Sequence, residues 1–362
     1  MLLLCYNTAM QIIPHNKPSL DNREIAAVIR VLKSNWIIAG KEVEKLEDNI
    51  KKSINVKYAI AVNSGTSALH LSLIALSVGR GDEVILPAYT ASDILNPIYY
   101  TGAVPVLVDI EENGLNIDTL QIKNKLNSKT KAMIIPHTFG FPARIDEIKK
   151  YKIPVIEDCA QAIGSFYQKT PVGSFGDLSI FSFYATKMLS TGQGGMVITN
   201  NKDYYTTIKD LINYNGRDNY KVRYNYPLTD IAASIGNVQF NKLNLFIERR
   251  KHIASKYIDV LEEKNVLYWP KKEDSHVNHF RFVIQFDTSR RRDSIKEKLA
   301  QKGIITIVPV APFELLHVLL KQNKRYFPRA QKLADTSLSL PMHPTLTDTQ
   351  IEKIGDALDT LL

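Results

Sequence analysis

Three residues of this 362-residue chain stand at a spacing that could do chemistry together: an amine, a carboxylate and a carboxamide. Lys187 closes the segment Ser179-Ile180-Phe181-Ser182-Phe183-Tyr184-Ala185-Thr186-Lys187, an apolar run that turns to serine and then to the amine. Asp158 ends an earlier apolar run, Val155-Ile156-Glu157-Asp158, and Gln161 follows it by three positions. Taken singly, each has a bland reading. An aspartate at a strand end is most often a solvated loop acid, and a lone lysine a surface charge. Converging from neighbouring strand ends, they are the set that pyridoxal phosphate needs. The amine forms the Schiff base, the acid keeps the pyridine nitrogen protonated, and the amide contacts the ring hydroxyl. Glu157 is the rival carboxylate, and strand alternation places it on the opposite face.

A second candidate site is the loop Asn63-Ser64-Gly65-Thr66-Ser67, which follows the apolar run YAIAV (58–62) and opens the helical stretch ALHLSLIAL (68–76). Backbone amides at a helix N-terminus, with hydroxyls beside them, bind a phosphate dianion. A Ser/Thr cap with a tight-turn glycine would look the same by itself. Ser182 is placed to add a further hydroxyl to that phosphate.

These residues need a scaffold, and the pattern supplies one. From residue 58 short continuous apolar runs alternate with helical stretches: 58–62, 83–87, 104–108, 131–136, 153–157, 178–183 and 196–199. Such runs predict an α/β fold, a mainly parallel sheet buried on both faces in a three-layer α/β/α domain. Residues 21–33 read as an amphipathic helix with Ile25, Val28, Ile29 and Leu32 on one face and Asp21 near its cap. Val43, Leu46 and Ile50 mark a second helix. After residue 250 the order helix, strand (279–286), helix, strand (303–310), helix predicts a smaller α+β domain. The expected division is a large domain over 1–250 and a small one over 251–362, joined without a flexible linker. Residues 1–9 read as disordered or as a start-site artefact, because Met10 opens a more usual beginning.

Composition narrows the function classes. The 44% apolar and 23% charged content is that of an ordinary globular protein. Two cysteines, Cys5 and Cys159, build no disulfide framework, so a cytoplasmic setting is expected. The apolar start is too short for a signal peptide or a membrane span. A net charge of +9 raises the question of nucleic acid, but the basic residues are scattered and no reading module accompanies them. A basic surface that attracts anionic metabolites, such as a sugar nucleotide, fits better. No metal site is expected.

The motifs NSGTSALHLSL, VIEDCAQAIGS, VGSFGDLSIFSFYATK, GQGGMVITN, YNYPLTDIAASIGNVQ (224–239) and LSLPMHPTLT (338–347) together resemble the DegT/DnrJ/EryC1/StrS family. The resemblance runs from about residue 12 to the C-terminus. It implies pyridoxal-phosphate-dependent sugar aminotransferases of the aspartate-aminotransferase fold (fold type I). By position it makes Lys187 the Schiff-base lysine, Asp158 the partner of the pyridinium nitrogen and Gln161 the contact to the 3-hydroxyl. Gly65, Thr66, Ser67 and Ser182 would hold the phosphate. Asn225 would reach it from a neighbouring subunit, which implies a homodimer with shared active sites. There are departures. Ala91 stands where many members carry a ring that stacks on the cofactor, so Tyr89 or an aliphatic contact would replace it. Pro227 and Pro309 stand where arginine and histidine are frequent. His137 and His343 read as packing residues.

The reaction implied is a two-stage transamination with Lys187 as proton shuttle. It would carry nitrogen from glutamate, or glutamine, to a keto-sugar nucleotide, with Tyr184 (and Tyr89) on the substrate side. A cyclitol ketone is an alternative acceptor. A lyase using the same cofactor is opposed by Lys187, because relatives that deoxygenate sugars carry histidine there. A regulatory protein that kept the fold without the chemistry is opposed by the complete residue set.

Overall fold

The computed structural model describes residues 12–264, 266–271 and 276–362. The readings made for residues 1–9 and Cys5 lie outside that range. Helix α1 (Asn22–Lys33) begins with a capping box: the Asp21 carboxylate accepts from the Arg23 amide, and Glu24 accepts from the Asp21 amide. Its apolar stripe is not where amphipathicity alone would bury it. Ile25, Ile29 and Leu32 are 58%, 45% and 51% exposed, while Glu24, Ala27 and Val31 face inward. The reversal has a polar cause. Glu24 accepts from the ammonium of Lys242 at 2.6 Å and from the Gln239 amide at 2.6 Å, a buried ion pair with its remaining lone pairs in use. Helix α2 (Lys41–Ile54) buries Val43, Leu46 and Ile50 as its pattern predicts.

The central sheet is built from β1 (Tyr58–Val62), β2 (Glu83–Pro87), β3 (Val104–Val108), β4 (Thr130–Pro136) and β5 (Val155–Asp158). After a two-stranded ribbon, β6 (Phe166–Tyr167) and β7 (Thr170–Pro171), come β8 (Leu178–Ser182) and β9 (Gly195–Thr199). Seven strands lie in the order β1-β9-β8-β5-β4-β2-β3. All run parallel except β9, which is antiparallel to both its neighbours. Alternate residues feed the two faces: Val84, Leu86, Ile134 and Ile156 join one core, and Ile85, Met133, Ile135 and Val155 the other. Continuous apolar runs were therefore the right signal for strands covered on both sides. Helix α3 (Gly65–Ala75) packs against β8 and β9 and buries Ala68, Leu69, Leu71 and Leu73.

A separate C-terminal core gathers Ile253, Tyr257 and Leu261 with residues of β10 (Leu267–Trp269), β11 (Phe282–Gln285) and β12 (Ser337–Leu340), which form an antiparallel three-stranded sheet. One helix of 32 residues, Asp230–Leu261, runs unbroken through residue 250 and contributes to both cores. The expected division at residue 250 thus falls inside one continuous helix. The expected strand over 303–310 is not one. It makes only single bridges, Ile13 to Ile304 and Ile307 to Ser339, and Pro309 cannot donate to a ladder. The third strand is instead Ser337–Leu340, inside a Pro-ended motif.

Candidate active site

The parallel strands end on one edge of the sheet, and the residues that follow them line a cavity of about 440 Å³. Ligands of open α/β sheets bind at this edge, beyond the carboxyl ends of the strands. Strand β5 delivers Asp158, and Gln161 follows on its loop. From β8 come Ser182 and, past Tyr184, Lys187. The turn after β1 delivers Gly65 and Thr66, and the loop after β4 brings His137 and Phe139. The sequence-predicted residues Gly65, Thr66, Asp158, Gln161, Ser182, Tyr184 and Lys187 are therefore brought together.

Lys187 and Asp158 feel each other. Burial lowers the lysine's affinity for its proton, the charges of Asp158 and Asp93 oppose that, and Arg281 adds to it. For Asp158, burial raises the carboxyl above its ordinary range, against a hydrogen bond from the Ala160 amide at 3.0 Å and the charge of Lys187. The two groups share the cavity, and the charge of each favours the ionised form of the other. The Lys187 ammonium lies 5.7 Å from the centroid of Phe280. Gln161 is oriented by the backbone: its Oε1 accepts from the Phe139 amide at 2.9 Å, which leaves its NH₂ group free of that bond.

The phosphate candidate is the first turn of α3. Ser64 caps it, its hydroxyl accepting from the Ser67 amide at 3.0 Å. Helix geometry leaves the amides of Gly65 and Thr66 without intrahelical acceptors. Ser182 packs over the same turn: a methyl group added at Gly65 would come 3.0 Å from the Ser182 Cβ. Gly195, at the start of β9, allows the closest approach. A Cβ there would meet the Ser64 carbonyl oxygen at 2.4 Å and the Gly65 nitrogen at 2.7 Å. Gly195→Ala is accordingly expected to push the turn outward and weaken cofactor binding about tenfold, checked by an absorbance titration with pyridoxal phosphate.

Two expectations need correction. Ser67 does not line the cavity. Its hydroxyl donates to Asn63 Oδ1 at 2.7 Å and bonds the Ser64 hydroxyl, so it braces the turn from behind. Tyr89 does not line it either. Its ring is fully buried in the main core, edge-on to Phe139 with centroids 6.1 Å apart, so it can neither stack on a ligand nor meet a substrate. Asn225, expected to act on a neighbouring subunit's site, lies outside its own chain's lining; it is exposed, and its carbonyl accepts from the Asn63 side chain at 3.3 Å. Ala91 and Pro309 do face the cavity, whereas Pro227 bridges the end of β1.

Glu157 turns to the other face, as alternation requires, into a fully buried network. It accepts from His137 Nε2 at 2.9 Å and from the amides of Gly173, Phe175 and Gly176 at 2.9, 2.8 and 2.6 Å. The Ala143 amide donates to His137 Nδ1, which assigns the ring proton to Nε2. Burial would push the Glu157 carboxyl up, but His137 and the amides win and hold it below its usual range. Cys159 lies within 4.8 Å of both, its thiol pushed up by burial. With the ligand atoms of His137 and Glu157 engaged, this is a bracing network under the cavity floor. His343 is likewise satisfied, by Thr345 and the Pro14 carbonyl.

Arg281, Asp93, Phe139 and Gly194 line the cavity without having been singled out. Arg281 left one trace in the sequence, an arginine inside the apolar run HFRFVIQF.

The donor set fits pyridoxal phosphate: a buried amine, an acid beside it, an oriented amide, and a helix N-terminus with hydroxyls. A mostly parallel sheet presenting that set at its carboxyl edge defines the class, a pyridoxal-phosphate-dependent aminotransferase of fold type I. The chain belongs to the DegT/DnrJ/EryC1/StrS aminotransferase family, which matches residues 18–359. It is 35% identical to the GDP-perosamine synthase of Escherichia coli O157:H7 over 369 residues, covering 97% of this chain and 98% of that protein. It is 32% identical to the spore coat polysaccharide biosynthesis protein SpsC of Bacillus subtilis, covering 96% of each. A putative sugar aminotransferase of Streptococcus pneumoniae, solved in forms holding pyridoxal phosphate and pyridoxamine phosphate, superposes with a TM-score of 0.91. That pair is 28% identical, over 97% of this chain and 98% of the other.

Proposed function

We propose that this aminotransferase carries nitrogen from glutamate, or glutamine, to a keto-sugar nucleotide. The observation that carries the reading is the convergence of Lys187, Asp158 and the α3 turn on one cavity, in a chain whose relatives include a GDP-perosamine synthase. Gly65, Thr66 and Ser182 bind the cofactor phosphate, and Ser67 props their turn. Gln161 presents its NH₂ group to the ring hydroxyl. Asp158 holds a proton at the ring nitrogen. Pyridoxal phosphate, bound there, supplies the electron sink for the carbon that loses its proton. Lys187, its proton affinity lowered by burial, would take that proton as base and hand it on to the cofactor within the same half-reaction, and would run the reverse transfer, from cofactor to acceptor carbon, in the second. Tyr184, 46% exposed at the cavity, offers a hydroxyl toward the acceptor.

Asp158→Asn keeps the shape and removes the charge, so turnover is expected to fall about 10²-fold with the fold intact. Single-turnover kinetics and a thermal melt check this. Incubating the enzyme, cofactor and glutamate with a panel of keto-sugar nucleotides and inososes tests the substrate class. Mass spectrometry showing amination of inososes alone would defeat the sugar reading.

The same reading includes a homodimer with shared sites. Ile25, Ile29 and Leu32 of α1, with Trp36, Ile37 and Ile38 after it, are each at least 45% exposed and form a run of apolar surface. Monomeric proteins rarely leave such a patch open. The double change Ile25→Asp, Ile29→Asp is expected to give monomers by sedimentation and to abolish activity.

A further inference from the structure

The geometry points to Arg281 as the receptor for the α-carboxylate of the amino donor, a role that rests on the aminotransferase reading. The guanidinium lines the catalytic cavity and lies 5.3 Å from the ring of Phe139 and 5.5 Å from that of Phe280. Its Nε and Nη1 are buried without a hydrogen-bond partner, and it forms no salt bridge among the described residues. Buried arginines are ordinarily paired, because the uncompensated charge is expensive. Arg250 nearby shows the ordinary solution: its Nη1 donates to the carbonyls of His279, Phe280 and Met342. Arg281 has no such carbonyls. Burial draws its pKa down to about 10, a cost that an incoming anion would cancel.

Position selects which anion. The cofactor's phosphate has its own seat at the α3 turn. The Lys187 ammonium and the Arg281 guanidinium lie 5.7 Å and 5.5 Å from the centroid of the same Phe280 ring, and the charge of Arg281 already acts on Lys187. A group that must sit one carbon from the reacting nitrogen, and carry a planar negative charge, is the α-carboxylate of an amino acid. A guanidinium's paired N–H groups match it in bidentate fashion. The diphosphate of a sugar nucleotide is several bonds from the reacting carbon and belongs nearer the open side of the cavity, where Tyr184 is exposed.

The experiment compares wild type, Arg281→Gln and Arg281→Lys, each loaded with cofactor. Half-reaction rates are read from cofactor absorbance with glutamate and with isopropylamine, an amine that has no carboxylate. A second arm titrates glutarate, which has no amine, by calorimetry. A third feeds the keto-sugar nucleotide to enzyme loaded with pyridoxamine phosphate. Arg281→Gln is expected to raise the KM for glutamate on the order of 100-fold and to weaken glutarate binding similarly. The isopropylamine and keto-sugar arms should change far less, by no more than the loss of Arg281's charge acting on Lys187, with Arg281→Lys intermediate for glutamate. The melting temperature should not fall, because an unpaired buried cation is removed. An unchanged glutamate KM, or equal loss with both amines, overturns the assignment. Loss confined to the keto-sugar arm overturns it in favour of the diphosphate. If wild type reacts with no amino acid, the aminotransferase reading fails, and glutarate binding then decides separately whether Arg281 holds a carboxylate.

Discussion

Lys187→Ala is expected to lower turnover on the order of 10⁴-fold or more while the protein stays folded, because in the proposed mechanism one side chain is both the covalent anchor and the proton carrier. The measurement is single-turnover kinetics with glutamate, joined to borohydride trapping and mass spectrometry. Wild type should carry the reduced cofactor on the peptide containing residue 187, and the variant nowhere. Label on another lysine would sink the assignment. The cofactor-free protein adds a stability signature. Burial lowers the Lys187 pKa from its ordinary value of 10.5, so between the lowered value and 10.5 the unfolded chain binds more protons than the folded one. Stability should then rise with pH across that window, and the rise should be smaller in Lys187→Ala. A denaturant series at several alkaline pH values reads both slopes.

Glu157→Ala carries the largest expected effect on stability, a loss of about 3–5 kcal/mol. The carboxylate is fully buried and gathers three backbone amides and the His137 ring. Removing it leaves all four donors without their acceptor, two of them fully buried. Glu157→Gln should also be severely destabilised, since its NH₂ group would face amide donors that need an oxygen. The folded carboxyl is held below its usual range, so this contribution is present above the unfolded pKa and is lost as pH falls through the folded one. Urea unfolding of both variants near neutral pH checks the prediction; a wild-type midpoint in either would overturn the bracing role. Catalysis in any folded fraction should be impaired less than in Asp158→Asn, because Glu157 points away from the cavity.

The contrast between these neighbouring acids shows how far local pattern reaches. Strand alternation is a property of the backbone, so Glu157 and Asp158 could be sent to opposite faces from four residues. That Asp158, Gln161, Ser182, Lys187 and the turn after β1 would meet at one cavity was legible for the same reason. In a parallel sheet, chemistry collects where strands end, and strand ends are visible as the close of apolar runs. Ser67 was not separable from Thr66, nor Tyr89 from Ala91, because residues one or two positions apart in a loop differ only in the direction the backbone gives their side chains.

What the sequence by itself determined was the layered fold, its active edge and the chemistry that edge supports, all of which follow from apolar periodicity and residue type. Only the tertiary structure decided which way α1 faces, because the buried partner of Glu24 is Lys242, 218 residues away. It alone brought Arg281 from the C-terminal sheet to the cavity of the N-terminal one. Side-chain burial and the pairing of charges depend on contacts between distant segments, and no local pattern records those.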